Sequence, residues 1–484
     1  MEYKWTVLTV TTVGVLMSGI DGRIVVIGLP TVAAYLHADA EQAIWFTQSY
    51  IIGSTVALLF IGRVSDIFGR VRVYTIGFTV FTVGSLFASL AFSPDSFIAA
   101  RIFQGLGSSA LFANSAAIIT DAFPSKELGR ALGINSVAFR LGSMMGLSLS
   151  GLILALADWR YLFYINIPIG IFGTYWAHRR LREMGKRDVG APMDWRGFGL
   201  FTLFIASLLL MLTYAAYGPG EELLVSSLGI LCACTLFAFV YAERTHTHPL
   251  LNLGLLRIRE FAGGVSAQLL NAIAWGSFIL TASLYLQLVR GLTPLQAGIS
   301  IIPFDITFLI VGPQSGRLSD RFGTRPFATA GLAVITGSLL LFSTVGPTTS
   351  FPTIILYLAI SGVGNGLFVS PNFSSIMGSV PAQLRGVASG LRATFFNVGF
   401  TISFNIVLLV LSFFVPYSLI TSIIASTAGA TVNVADKALF SSGLDKVYVV
   451  LAVINTVAIV PSLLRGKRVE AQPEAEGPWR GEPE

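Results

Sequence analysis

Apolar positions along this chain fill whole runs, such as Trp5–Ile20 and Phe97–Ile119, and the runs are broken by short clusters of charge, glycine and proline. Runs near 20 residues are what a helix needs to cross the hydrocarbon of a bilayer. The breaks divide the chain into fourteen runs, centred near residues 16, 53, 83, 108, 142, 168, 207, 232, 275, 304, 337, 362, 399 and 454. The pattern therefore predicts an all-α polytopic membrane protein with fourteen spans. The first run is long, lacks an Ala-x-Ala-like exit and continues into Gly28-Leu29-Pro30, so it reads as a span rather than a cleavable signal.

The breaks carry a repeat. "GRVSDIFGR" at 62–70 returns as "GRLSDRFGT" at 316–324, an offset of 254. Gly105–Gly107 matches Gly362–Gly364, Pro124 matches Pro381, Gly133 matches Gly390, and "FRLG" ending at Gly142 matches "FNVG" ending at Gly399, all offset by 257. Two parallel six-span halves follow, with two further runs within 197–242 between them, a 6+2+6 plan. The predicted units are an N-terminal bundle (1–178), linkers with the two extra helices (179–260), a C-terminal bundle (261–465) and a disordered tail rich in Pro, Gly and Glu (466–484).

Composition changes the picture by fixing the solvent and the orientation. The chain is 54% hydrophobic and only 12% charged, with mean hydropathy +0.75, against roughly 25% charged in a soluble domain. With the N-terminus placed in the cytoplasm, 24 of the 31 Lys and Arg fall in inside segments. Only Arg160, Arg290, Lys437 and Lys446 fall outside, and Arg23, Arg101 and Arg140 lie within spans. This asymmetry predicts that both termini are cytoplasmic. The net charge of +6 points to the anionic leaflet of a lipid bilayer rather than to nucleic acid. The segment from His178 to Gly197 is read as a lipid-facing linker, and Phe413 to Lys446 as the longest outside loop, partly helical. Cys232 and Cys234 share one apolar run and read as packing residues. No metal-spaced Cys or His set, no G-x-S-x-G and no histidine cluster occurs, since His37, His178, His246 and His248 all lie between spans. Nothing therefore points to an enzyme, a cofactor or a metal. A receptor that transports nothing would leave the repeat and the buried charges unexplained.

Parallel six-span halves with a G-x-x-x-D-x-x-G-R phrase resemble the major facilitator superfamily. Here that phrase is Gly62, Asp66, Gly69 and Arg70, with a second copy at Gly316, Asp320 and Gly323. The glycines permit a tight turn. Asp66 can cap a helix start or pair with an arginine, and Asp66 with Arg70 reads as a gating latch. "GIDGRIVVIGLP" (19–30), "RIFQGLGSS" (101–109), "WRYLFYINIPIG" (159–170) and "GLTPLQAGISIIP" (291–303) resemble, in order, motifs of the fourteen-span drug:proton antiporter branch, the EmrB/QacA-like multidrug efflux transporters. The resemblance implies a monomeric carrier in the cell membrane that exports amphipathic small molecules by alternating access in exchange for protons. It also implies a substrate site at the midplane between the halves.

Ionisable groups at bilayer depth are functional candidates by default. Among acidic residues, only Asp21 and Asp305 fall inside spans away from their ends. Asp21 aligns with the acidic residue of the first-span motif and Arg101 with the arginine of the fourth-span motif. The resemblance implies proton coupling or substrate contact for the first and proton transfer for the second. Asp305 matches no motif and rests on its depth alone, and Leu358 stands at the repeat position of Arg101. Gln104, Gly105 and Gly107 are expected to pack helices, as are Gly142, Gly146 and Gly151. The fifth span departs from G-x-x-x-G-P-x-x-G-G: it reads "GSMMGLSLSG", with Leu147 for the proline and Ser150 for a glycine. Arg140 and Arg23 replace the usual glycine and threonine. The added cations leave neutral or anionic amphiphiles, lipids and metabolites open as cargo, moved without strict antiport. Which arginine pairs with which aspartate depends on packing.

Overall fold

The computed structural model describes residues 2–184, 194–216, 220–245, 251, 253–380, 385–416, 419–420 and 433–465, and within them every side chain but those of 40, 44, 59, 66, 125, 126, 128–130, 136, 140, 385 and 386. The predicted tail 466–484, part of the linker (185–193) and the side chains of Asp66 and Arg140 thus fall outside the described residues.

The described chain is helical throughout. The first bundle is α1 (Tyr3–Tyr35), α2 (Ala40–Phe68), α3 (Arg70–Ser89), α4 (Pro94–Ala122), α5 (Ser125–Leu156), α6 (Tyr161–Tyr164) and α7 (Asn166–Arg180). A hairpin comes next, α8 (Trp195–Ala215) and α9 (Glu222–Thr245). The second bundle is α10 (Arg259–Trp275), α11 (Phe278–Leu284), α12 (Pro294–Phe322), α13 (Thr324–Phe342), α14 (Phe351–Gly378), α15 (Arg385–Phe414) and α16 (Val434–Leu463).

Local chemistry explains the starts. Asp39 with Gln42, Ser93 with Ser96 and Thr293 with Gln296 form reciprocal capping boxes at α2, α4 and α12. Each satisfies two backbone donors that the first turn leaves orphaned. Pro94 and Pro294 come immediately after, where a missing N–H costs nothing.

Among the described residues, twelve helical stretches are long and apolar enough to cross a membrane. Each of the fourteen predicted centres falls in a helix. The two outside the twelve are α2 and α6–α7, the latter broken at Ile165. One expectation is refined and one corrected. The helical part of the stretch read over 413–446 begins at Val434, where α16 starts with Asn433 accepting from the Ala435 N–H. The repeated phrase is largely helix rather than loop: Gly62 lies within α2 and Gly316 within α12, and each connection is the single residue Gly69 or Gly323.

Gly69 and Gly323 have φ of 105° and 89°, a region that a Cβ makes costly. Gly69→Ala is expected to cost about 1–3 kcal/mol, read as a lower thermal midpoint in detergent. Gly62→Ala, with nothing within 4 Å of the added carbon, should match wild type.

In the first bundle α1 packs on α5, α2 on α4, and α3 on both α4 and α7. In the second, α12 and α13 pack on α14, while α10 lies against α15 and α16. The hairpin leans on α2 and α15 through α8. α9 shows Leu223, Ile230 and Phe237 outward at 86%, 66% and 76% exposure, an apolar face suited to lipid.

The bundles meet through α5–α12, α2–α15, α1–α11 and α1–α12. α5 and α12 touch where α5 ends and α12 begins: a Cβ on Gly298 would lie 2.8 Å from the Leu147 carbonyl, and one on Gly151 2.8 Å from the Pro294 carbonyl. Beside them the Gln287 amide donates to the Ile27 carbonyl at 3.2 Å. Toward the other ends of the same helices, Gly133 and Gly312 face open space, as do Gly62 on α2 and Gly390 on α15. The two bundles are in contact at the α5 C-terminal and α12 N-terminal end.

Candidate functional site

α1 carries two charged residues at its middle, Asp21 and Arg23. Two residues of helix turn them about 200° apart, so they serve different neighbours.

Asp21 faces into the first bundle and is fully buried (0% exposed). One oxygen accepts from Arg101 Nη1 of α4 at 2.6 Å, and the other accepts from Gln104 Nε2 at 2.8 Å and Asn166 Nδ2 of α7 at 2.9 Å. Gln104 also donates to Ser85 Oγ of α3 at 2.7 Å and accepts from Arg101. The guanidinium lies over the Tyr50 ring of α2, 4.4 Å from its centroid, and 5.6 Å from that of Phe163. Five helices converge on one ion pair. Charges this deep are tolerated only when paired and hydrogen-bonded.

Close helix approach makes the convergence geometrically feasible. A Cβ on Gly142 or Gly146 of α5 would strike the Leu16 or Ile20 carbonyl of α1. One on Gly105 would strike the Tyr50 carbonyl of α2, and one on Gly107 the backbone of Phe81. Gln104, expected only to pack helices, is a polar member of the cluster as well.

Arg23 faces the second bundle. Its Nη1 stands 3.4 Å from Asp305 Oδ1 of α12, with side-chain exposures of 15% and 11%, and its guanidinium lies 6.0 Å from the Trp275 ring centroid. Trp275 packs on Phe304 at 5.3 Å, and its indole N–H is buried without an acceptor. The sequence left the pairing of arginines and aspartates open; the fold pairs Arg101 with Asp21 within a bundle and Arg23 with Asp305 between bundles.

The repeated phrase is positioned differently in its two copies. Arg70 Nη1 pairs with Asp121 Oδ1 at the end of α4 at 2.7 Å, and the Glu183 carboxylate accepts from the Arg70 and Val71 backbone N–H groups at 2.8 and 3.2 Å. Glu183 thus caps the start of α3, and the role expected of Asp66 lies outside the described residues. In the second copy Asp320 is exposed, and among the described residues it forms no ion pair.

Leu358, at the repeat position of Arg101, is fully buried, and neutral amides occupy the polar core of the second bundle. Asn271 donates to Asn455 Oδ1 at 2.9 Å, and Asn455 to the Leu332 carbonyl at 2.9 Å. Just beyond α16, Arg465 donates to Asn372. Burial pulls its guanidinium down to about 10, opposed by Glu260. Reasoning from sequence missed Asn166, Ser85 and Tyr50; Asn166 sat within the quoted "YINIPIG", where the resemblance placed a motif but gave it no partner. Among the described residues no group of three or more His, Cys, Asp or Glu could hold a metal.

Comparison with known proteins agrees with this architecture. The riboflavin transporter RibZ of Clostridioides difficile (strain 630) is 31% identical over 402 residues, covering 83% of this chain and 87% of that protein. The multidrug resistance protein Stp of Mycobacterium tuberculosis (strain ATCC 25618 / H37Rv) is 30% identical, covering 82% and 74%. A bacterial homologue of the human lysosomal transporter Spinster, solved in an inward-facing and occupied conformation, superposes with a TM-score of 0.66 at 16% identity over 96% of this chain and 97% of that one, which speaks to fold alone. Residues 11–404 match the Major Facilitator Superfamily; with two helical bundles and, among the described residues, twelve membrane-length apolar stretches, the chain belongs to that family and is one of its multi-pass membrane transporters.

Proposed function

We propose that this protein exports amphipathic small molecules across the cell membrane by alternating access, in exchange for protons. In this reading all fourteen helical runs cross the bilayer in a 6+2+6 arrangement with both termini cytoplasmic. The observation that carries the reading is α1. It holds the buried acid of one bundle, Asp21, and two residues later the base of the bridge to the other, Arg23. A proton that loosens Asp21 from Arg101 acts on the same helix that ties the bundles together, so protonation and opening are mechanically linked. Arg70, Asp121 and Glu183 hold the cytoplasmic ends of α3 and α4 as the latch of one state.

The test is dye efflux from proteoliposomes under an imposed pH gradient, with internal pH recorded together with dye. Wild type is expected to move protons inward as dye leaves, and Asp21→Asn to abolish gradient-driven efflux by at least about tenfold, or 1.4 kcal/mol. Dye movement with no proton flux in wild type would replace this mechanism by the second reading, export of a lipid, metabolite or anionic compound without strict antiport. That reading is favoured by Leu147, whose carbonyl packs on Gly298 where related antiporter motifs have proline.

A further inference from the structure

The second bundle holds a cation that its own fold leaves unanswered. Arg392 lies about two turns into α15, inside the apolar stretch Val387–Phe414 that is long enough to cross a membrane. Its guanidinium stands 5.0 Å from the ring centroid of Phe373 on α14. Among the described residues it forms no ion pair and no hydrogen bond, and its Nε is buried without an acceptor. By contrast, Arg101 has Asp21 and Arg23 has Asp305. A cation over an aromatic ring recovers only part of what desolvation takes from a charge.

The surroundings of Arg392 show what could answer it. Leu391, its neighbour in the chain, belongs to an apolar cluster with Val265 of α10 and Ile376 of α14, and Ile52 of α2 and Phe395 of α15 both pack on that cluster. The arginine therefore stands beside the seam where the second bundle meets the first. Phe373 is 44% exposed and Arg392 is part-exposed, so a solute can reach both. Glu260, at the start of α10, is already engaged, accepting from Ser375 Oγ at 2.8 Å. On the other side of α14, Arg465 donates to Asn372, next to Phe373, and keeps Nε and Nη1 buried without acceptors. We propose that Arg392 and Phe373 form a binding site for the acid group of the transported substrates, which are apolar or aromatic molecules carrying a carboxylate, sulfonate or phosphate. The planar guanidinium can take an oxyanion through two parallel N–H···O bonds, and the ring takes the apolar body beside it. This substrate class rests on the exporter reading above and names its cargo. A phospholipid headgroup presents the same oxyanion, and the test separates the two.

Three probes on one dansyl ring make the test: dansylglycine is an anion, dansylglycinamide is neutral and dansylcadaverine is a cation. Binding to the purified protein is read from dansyl emission in maltoside micelles, which contain no phosphate, and again with phosphatidylglycerol added. Wild type is expected to bind dansylglycine about tenfold more tightly than the amide, as one charge-assisted contact would give, and the cation most weakly. The preference should fall to near parity in Arg392→Gln and survive in part in Arg392→Lys, each shown to keep the wild-type melting temperature; Arg392→Met replaces the glutamine variant should that one fail to fold. Phe373→Leu should weaken binding of the acid and the amide alike. Equal binding of acid and amide by wild type, a preference untouched by Arg392→Gln, or acid binding untouched by Phe373→Leu overturns the site. Loss of the wild-type preference on adding phosphatidylglycerol assigns the arginine to a lipid headgroup and overturns it too. Efflux of the same probes from proteoliposomes keeps the two readings apart. Anion-selective binding with no efflux of any probe overturns the exporter reading, whereas efflux with no preference for the anion overturns the substrate class alone.

Discussion

Arg101→Met alone is expected to destabilise the protein by about 3–5 kcal/mol, whereas Arg101→Met combined with Asp21→Leu should recover most of that loss. The single variant leaves the Asp21 carboxylate at 0% exposure, with Gln104 and Asn166 as donors but no cation. The double variant replaces the charges by apolar groups of similar volume, which a core accepts. Stability is read as a thermal midpoint in detergent, and transport is read in the same preparation. The double variant should be folded and inactive in gradient-driven efflux. If it transports as wild type does, the pair is only a structural bridge; if it is no more stable than Arg101→Met, the surrounding amides rather than the charges carry the local stability.

The second large effect concerns the α5–α12 contact. A leucine at Gly298 must displace the Leu147 backbone, because even the first carbon would sit 2.8 Å from that carbonyl, closer than real Cβ contacts permit. Carbonyl backbone on a packed helix yields little, so the α5–α12 contact is expected to open and the population to move toward the state in which this end is parted. A shift of even 3 kcal/mol changes the ratio of states by about two orders of magnitude. Gly298→Leu should therefore lose nearly all turnover without losing its melting transition. A cysteine placed near the α5 C-terminus should at the same time become reactive to an impermeant maleimide. Unchanged labelling with normal turnover would show that the contact can be re-formed around the added side chain.

Much of the fold was legible because the bilayer leaves few options. Every predicted centre lies in a helix, since hydrocarbon obliges a chain to satisfy its backbone internally. The misreadings come from places where helix and loop look alike in sequence. The turn at Gly69 was assigned to a whole phrase because Arg63, Ser65 and Asp66 look like loop residues, although α2 carries them to its last turn. Within 413–446 the partly helical reading gave no boundary, because the polar residues around Val434 hide a helix start capped by Asn433. In the site, Asp21, Arg101, Arg23 and Asp305 stood out because ionised groups are rare at that depth. Asn166, Ser85 and Tyr50 did not, because neutral polar residues are common in helices and only packing shows which ones converge. The choice of partner for each arginine is decided by the 200° turn between Asp21 and Arg23 together with the side on which each bundle lies, and no pattern along the chain contains the second of these.

The placement of both charges on the first helix has a consequence for how the protein is made. Asp21 and Arg23 are synthesised 80 residues before Arg101 and 282 residues before Asp305. At about 5–20 residues per second, α1 waits about 4–16 s for its partner within the bundle and about 14–56 s for the partner across the interface. During those intervals neither charge has its native counter-ion, at a cost of a few kcal/mol each in hydrocarbon. The first helix must therefore stay shielded at the insertion machinery or the headgroup layer until α4 arrives. The ion pair between the bundles closes only after the first bundle has been assembled, which makes it a marker of completed biogenesis as well as part of the transport cycle.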